Sequence, residues 1–149
     1  MIKVLEFDIS FLNKSWKWLN DEDLQKLIIS PRISKKQQEE WFYSLKNKKN
    51  YYIKGIEYNG EKIGVLGLKN ITQNKGEYFG YIGEREYWGL GIGKAMLKYI
   101  EEYCKKIKLK KIYLKVLKNN QRAFLLYKRF GYKIIEVQES IYIMEKDVI

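Results

Sequence analysis

Tyr87-Trp88-Gly89-Leu90-Gly91-Ile92-Gly93-Lys94-Ala95 sets three glycines at alternate positions, just ahead of a long amphipathic segment. Alternating glycines let a backbone turn tightly and leave its N–H groups uncovered. A helix starting there adds four unpaired N–H groups and the positive end of its dipole. The stretch reads as a cradle for a phosphate or pyrophosphate. Two rival readings fail on particular residues. The dinucleotide fingerprint needs G-x-G-x-x-G after a parallel βαβ lead-in, and this chain has G-x-G-x-G. In a Walker A loop Trp88 would have to be glycine, and Ala95 the Ser/Thr that holds magnesium.

Upstream of the loop, Tyr51 to Tyr58 and Lys62 to Lys69 predict strands joined at Asn59-Gly60, a strong hairpin signal. A turn at Gln73 to Gly76 leads to a third strand from Glu77 to Gly83, giving an antiparallel meander. Downstream, Met96, Ile100, Tyr103 and Ile107, with Leu97 and Cys104 beside them, predict a helix to about Ile107. Ile112, Leu114 and Val116 alternate as a strand; a helix from about Gln121 to Phe130 and strands near Tyr132–Val137 and Ser140–Glu145 follow. At the N-terminus, Met1 to Phe7 predicts a strand. Phe11 to Ile29 predicts one or two helices broken near Asn20-Asp21. Ser34 is placed to cap a helix to about Leu45 with Trp41, Phe42 and Leu45 inward. The order β, α, α, three β, α, β, α, β, β predicts one α/β domain of α+β type over residues 1–149, a mixed, mostly antiparallel sheet flanked by helices.

Composition narrows the chemistry. The chain has 149 residues, enough for one domain with a real core. It has no histidine, which removes the commonest general base, the Ser-His-Asp triad and most zinc sites. No metal is expected. One cysteine excludes an internal disulfide and suits a reducing cytoplasm. No apolar run approaches the roughly 20 residues of a membrane span, and no signal-peptide core opens the chain. The net charge of +11 points to anionic partners, a polyphosphate cofactor or nucleic acid. An AT-rich coding bias toward Lys, Ile, Asn and Tyr explains part of that charge. No aromatic-basic RNA motif appears, so nucleic acid is not the expected partner.

Two motifs carry a resemblance. Tyr87 to Ala95 is similar to the acetyl-CoA pyrophosphate loop of the GNAT (Gcn5-related) N-acetyltransferases, [RQ]-x-x-G-x-[GA], with Gly91 and Gly93 in the small positions and Trp88 in place of the leading Arg/Gln. Asn120-Gln-Arg-Ala123-Phe-Leu-Leu126-Tyr127-Lys-Arg-Phe-Gly131-Tyr132 resembles the family's second motif, N-x-x-A-x-x-L-Y-x-x-x-G-[FY], in the family's order and spacing. The resemblance implies the GNAT fold and acetyl-CoA as cosubstrate. It implies backbone contacts to pantetheine from Tyr81, Ile82 and Gly83. It implies pyrophosphate contacts from Trp88, Gly89, Leu90, Gly91, Ile92, Gly93 and Lys94. Lys94, Lys128 or Arg129 is placed to reach the adenosine phosphate.

The residues also fit the reaction physically. Acetyl transfer needs a neutral amine, although a free alkyl amine titrates near 10, and a proton for the departing thiolate. A tyrosine can supply that proton, and Tyr127 matches the family's general acid. Asn120 precedes Tyr127 by two helical turns, so both share nearly one face, about 10 Å apart. That spacing suits an amide gripping pantetheine beside a phenol near sulfur; alone, Asn120 would be an N-cap. Glu77 is the best carboxylate for a general base, against a route in which water strips the proton. Lys115 stands where some ribosomal-protein acetyltransferases place a glutamate. Glu84 and Glu86 read as solvated.

The region Trp16-Lys17-Trp18-Leu19-Asn20-Asp21, followed by the helix from Ser34, resembles the nucleotide-sugar acetyltransferases of pseudaminic acid biosynthesis, which N-acetylate a UDP-4-amino-4,6-dideoxy sugar. Leu19 replaces an Arg common in those enzymes. The resemblance makes Trp18 and Asn20 substrate-binding candidates and implies a small-molecule, anionic amine as partner. A ribosomal-protein-type N-terminal acetyltransferase and a polyamine or other small-amine acetyltransferase are the alternatives. A monomer or homodimer is expected, with no membrane partner.

Overall fold

A computed structural model describes Met1–Val148. The elements are β1 (Ile2–Glu6), α1 (Ile9–Leu19), α2 (Glu22–Gln25), α3 (Lys35–Ser44), β2 (Tyr52–Tyr58), β3 (Glu61–Lys69) and β4 (Lys75–Ile82). The second half holds α4 (Ile92–Lys106), β5 (Lys111–Leu117), α5 (Gln121–Arg129), β6 (Lys133–Val137) and β7 (Ile141–Asp147). They build one seven-stranded sheet in the order β1-β2-β3-β4-β5-β7-β6. Every neighbouring pair is antiparallel except β4 and β5. The fold is the mixed, mostly antiparallel α/β arrangement predicted from the element order. Among the described residues no helix is long and apolar enough to cross a membrane.

Local chemistry explains the boundaries. Asn59 and Gly60 both take positive φ, 51° and 79°, as a two-residue hairpin turn requires. Ser34 caps α3 through a capping box with Gln37, each side chain bonding the other's backbone N–H. Thr72, not a glycine, organises the turn into β4: its hydroxyl accepts from the N–H of Asn74 and Lys75. Consequently Gly76 lies inside the strand rather than in the turn.

Each face of the sheet carries its own core. One is built by α4 and α5 over Ile56, Leu66, Leu68, Ile112, Leu114 and Met144. The other is built by α1 to α3 over Val65, with Phe7, Phe11, Leu12, Trp18 and Leu24. Burying each such side chain contributes roughly 1.5–3 kcal/mol. A bulge at Ile63, opposite the Ile56–Glu57 step, lets it share the α4 side with Leu66 despite its odd spacing. On α4 the buried stripe is Ile92, Met96, Leu97, Ile100 and Cys104. Ile107, predicted on that stripe, lies past the helix end and is 40% exposed. Lys108 turns the chain there with φ 63°.

Candidate active site

The sheet opens at its one parallel seam. Strands β4 and β5 pair only over Lys75–Glu77 and Lys111–Tyr113, then part. Beyond Glu77, β4 keeps its partner on one side only, β3, through Tyr78↔Leu68 to Ile82↔Gly64. A cavity of about 1230 Å³ fills the wedge, bordered by α1–α3 residues at one end and by the glycine loop and α5 at the other.

The glycine loop enters this cavity as bare backbone. Gly89 and Gly91 have φ 79° and 81°, a left-handed conformation that costs other residues about 1–2 kcal/mol. Asp8, Asp21, Ser34 and Asn120 each cap a helix with a side-chain oxygen. Gly91, the N-cap of α4, has no such bond. The 15-residue α4 therefore presents its first N–H groups and positive dipole end without a side-chain acceptor. Gly93 serves packing: a Cβ there would stand 3.0 Å from Leu126 Cδ2, so its absence lets α4 and α5 approach. Ile92 is buried and offers only backbone, whereas Leu90 is exposed. Trp88 lies half-buried and its indole N–H donates to the Ile82 C=O at 2.7 Å. That bond ties the loop to the end of β4.

Arg122, on the first turn of α5, is a residue the motif reading passed over. Its guanidinium lies within 4 Å of where a Gly89 Cβ would be, and it borders the cavity. Lys94 and Arg129 border the cavity as well, and Lys128 does not.

Backbone on β4 divides by alternation. The Gly83 N–H donates to Ile63 C=O at 2.6 Å, and Tyr81 pairs with Val65; both turn toward β3. The Ile82 C=O, on the opposite side, already accepts from Trp88.

Tyr127 and Glu77 flank β4 at the split. Tyr127 is half-buried and packs edge-on against Tyr78, the first β4 residue past the last pair. Burial pushes the Tyr127 phenol up to about 12. Glu77 lies on the other face of β4, 5% exposed. Its Oε1 accepts from Asn70 Nδ2 at 3.0 Å, and Lys69 Nζ lies 3.9 Å from Oε2. Lys115, two residues past Glu77's partner Tyr113, shares that face and the cavity wall.

Asn120 is committed on both ends of its amide. Its Oδ1 caps α5 by accepting from Ala123 N–H at 3.3 Å, and its Nδ2 donates to Leu27 C=O at 3.0 Å. Asn119 Nδ2 donates to Lys26 C=O alongside. The pair ties the chain after α2 to the start of α5.

The two residues expected to bind substrate lie elsewhere. Trp18 is 5% exposed, packs over Gly83 and donates its indole N–H to Glu84. Asn20 Nδ2 donates to Trp16 C=O at 2.7 Å and closes the end of α1. Neither borders the cavity. The α1–α3 side chains that do border it are Ser15, Leu19, Leu24, Gln38 and Trp41. Glu84 is thereby held by Trp18 rather than merely solvated.

Comparison with known proteins gives a consistent family. The model of the acetyltransferase (GNAT) family matches residues 14–132. A spermidine N(1)-acetyltransferase of Thermoplasma acidophilum is 28% identical over 149 residues, covering 97% of this chain and 92% of that protein. A spermine/spermidine N(1)-acetyltransferase of Bacillus subtilis is 44% identical over 90 residues, 53% of this chain and 57% of that one. An uncharacterized protein of Methanocaldococcus jannaschii is 29% identical over 94 residues, 62% of this chain but 19% of its own length. The chain thus spans less than two thirds of those last two relatives.

Among solved structures, spermidine N-acetyltransferase of Vibrio cholerae, in complex with CoA and spermine, superposes with a TM-score of 0.90 at 19% identity, covering 98% and 95% of the two chains. The N-acetyltransferase PseH of Campylobacter jejuni, in complex with acetyl coenzyme A, superposes with a TM-score of 0.76 at 18% identity over 99% of each. At those identities the likeness speaks for the fold.

Proposed function

Since the chain belongs to the acetyltransferase (GNAT) family, we propose that it transfers an acetyl group from acetyl-CoA to a primary amine on an anionic body, foremost a nucleotide-linked amino sugar of the UDP-4-amino-4,6-dideoxy type. The 149 residues act as a single N-acetyltransferase domain in this reading. Acetyl-CoA supplies an activated thioester. The open end of α4 and the Gly89–Gly93 backbone fit its pyrophosphate, because both are donor-rich and lack a competing carboxylate cap. Arg122, beside Gly89, and Lys94, in the first turn of α4, supply cations around that end, and Arg129 borders the same cavity.

Tyr127 holds its proton at neutral pH, as a donor must. An alkyl thiol titrates near 8.5 and Tyr127 near 12. Full proton transfer to a free thiolate therefore costs about 5 kcal/mol. Tyr127 acts best by hydrogen-bonding the sulfur as charge develops there, with transfer completed at solvent. Glu77 receives the acceptor's proton, directly or through water; its contacts with Asn70 and Lys69 fix the carboxylate at the split.

The charge of the cavity carries the choice of acceptor. Lys69, Lys94, Lys115, Arg122 and Arg129 border it, and Glu77 is the one carboxylate that does among the described residues. Lys69 and Lys115 stand on either side of Glu77 on its own face, on neighbouring strands. Lys69 is paired with Glu77, so their charges offset; at roughly 8 Å and an effective dielectric near 20, each further ammonium of a polyamine is then repelled by about 2 kcal/mol, from Lys115. A diphosphate gains where a polyamine loses.

A polyamine acceptor is the second reading, favoured by the names of the Thermoplasma and Bacillus relatives. Thiol release from acetyl-CoA separates the two. The amino-sugar nucleotide should outpace spermidine, spermine and a set of peptide N-termini by at least tenfold in kcat/KM. Preference for spermidine would replace the first reading with the second. Cys104 is fully buried with its thiol pushed up to about 12, so the assay reads CoA alone.

A further inference from the structure

On α3, Gln38 is 2% exposed; among the described residues the other buried polar or charged side chains are Ser15 and Glu77. Its Nε2 donates to Ser15 Oγ at 2.6 Å, and Ser15 Oγ in turn donates to Leu12 C=O at 2.8 Å. The single hydroxyl proton of Ser15 is thereby spent on α1, and its oxygen is left to accept. Gln38 is held with Nε2 toward Ser15, and Oε1 has no partner among the described residues. An orphaned buried acceptor costs about 1–3 kcal/mol. Both Ser15 and Gln38 border the cavity, alongside Trp41, Tyr51, Ile53 and Tyr81. The Tyr51 and Tyr81 hydroxyls and the Trp41 indole border the same cavity, and none of them bonds Oε1, which leaves Oε1 open to a donor carried by whatever fills the cavity.

Resting on the acetyltransferase reading above, we propose that Gln38 is a specificity-determining residue of the acceptor site, its Oε1 accepting a hydrogen bond from a hydroxyl or amide N–H on the body of the acceptor amine. The preferred class is a hydroxylated or amide-bearing primary amine rather than an alkyl amine. A site built to bond a substrate donor discriminates strongly against the analogue that lacks it, because its own polar group is then stranded. Ser15 has a positioning role, setting the orientation of the Gln38 amide.

The test uses the full chain and matched amines: a UDP-4-amino-4,6-dideoxy sugar and its 3-deoxy counterpart, 2-amino-1,3-propanediol and isopropylamine, and a peptide N-terminus. The wild type should prefer the donor-bearing member of a pair by tenfold or more in kcat/KM. Gln38→Met, of similar volume, should erase that preference by raising KM for the donor-bearing amine at least tenfold, with KM for acetyl-CoA unchanged. Ser15→Ala should weaken the preference by a smaller factor. If Gln38→Met shifts the melting temperature alone and leaves the ranking of amines intact, Oε1 is served by an internal water and the proposal is wrong. A wild type that favours isopropylamine also overturns it. Absence of turnover with every amine, together with failure to bind acetyl-CoA, sinks the acetyltransferase reading itself.

Discussion

Tyr78 and Tyr127 meet edge to face, ring centroids 6.4 Å apart at 79°. Tyr132 also meets Tyr127 edge to face, at 5.9 Å. Such pairs contribute about 0.5–1.5 kcal/mol each beyond their burial. The contact joins the C-terminal half of α5 to the first residue of β4 that β5 leaves unpaired. It fixes the phenol where the sheet opens, and the same burial holds its proton.

Tyr127→Phe keeps both ring contacts and removes the donor. The expected outcome is a fall in kcat of about 100-fold or more, with acetyl-CoA affinity unchanged. The pH profile carries a sharper check. The protonated phenol is the active form and its titration lies near 12. The proton is present at every pH below that, so Tyr127 imposes no basic limb between pH 7 and 10. A wild-type loss of rate in that range that disappears in the Phe variant would contradict the assignment.

Glu77→Gln keeps an oxygen for Asn70 to donate to and removes the proton acceptor. We expect kcat at pH 7 to drop by about 10- to 100-fold. The deficit should narrow toward pH 10, where the free amine fraction rises on its own. A variant with the wild-type pH–rate profile would mean that water takes the proton.

Gly91→Ala and Gly93→Ala should part company in thermal melts. Gly91 has open space around it, so only its φ of 81° resists a side chain. The substitution should cost about 1–2 kcal/mol, a fall in melting temperature of roughly 2–8 °C, and should weaken CoA binding in a titration. At Gly93 the new methyl meets one flexible leucine end at 3.0 Å. The gain in helix propensity, about 1 kcal/mol, offsets that squeeze, so the melting temperature should stay near wild type. Equal losses at both positions would refute the distinction.

Arg122→Gln should raise the dissociation constant for CoA about 5- to 20-fold, as loss of a charge-assisted contact does. The salt dependence of binding should flatten in parallel. The side chain is exposed and enters no ion pair among the described residues, so stability should not move. Isothermal titration at two salt concentrations reads both effects.

Much of the architecture was legible because short-range signals set it. Asn59-Gly60 closed the hairpin, Ser34 and Gln37 opened α3, and the alternation of Ile112, Leu114 and Val116 gave β5. The donor loop was legible for the same reason: its chemistry lies in three glycines at alternate positions of one short stretch. The acceptor wall was not. Trp16 and Trp18 show that α1 has an apolar face, but no pattern says whether that face meets a cavity or, as at Gly83, the backbone just past β4. The stripe Gln38, Trp41, Phe42, Leu45 did carry a sign, since a glutamine at the inward position of a helical repeat is out of place. Arg122 carried none, because its nearness to Gly89 arises only when α4 and α5 pack.

The open end of α4 presents main-chain N–H groups, which every residue but proline carries. The wall facing it is lined by residues such as Ser15, Leu19, Gln38 and Trp41, whose side chains set its chemistry. One half of the site therefore depends on few side chains, while the other changes with each of them. Relatives can share a donor and diverge in whom they acetylate, and grafting residues 9–44 between them is the economical route to a retargeted enzyme.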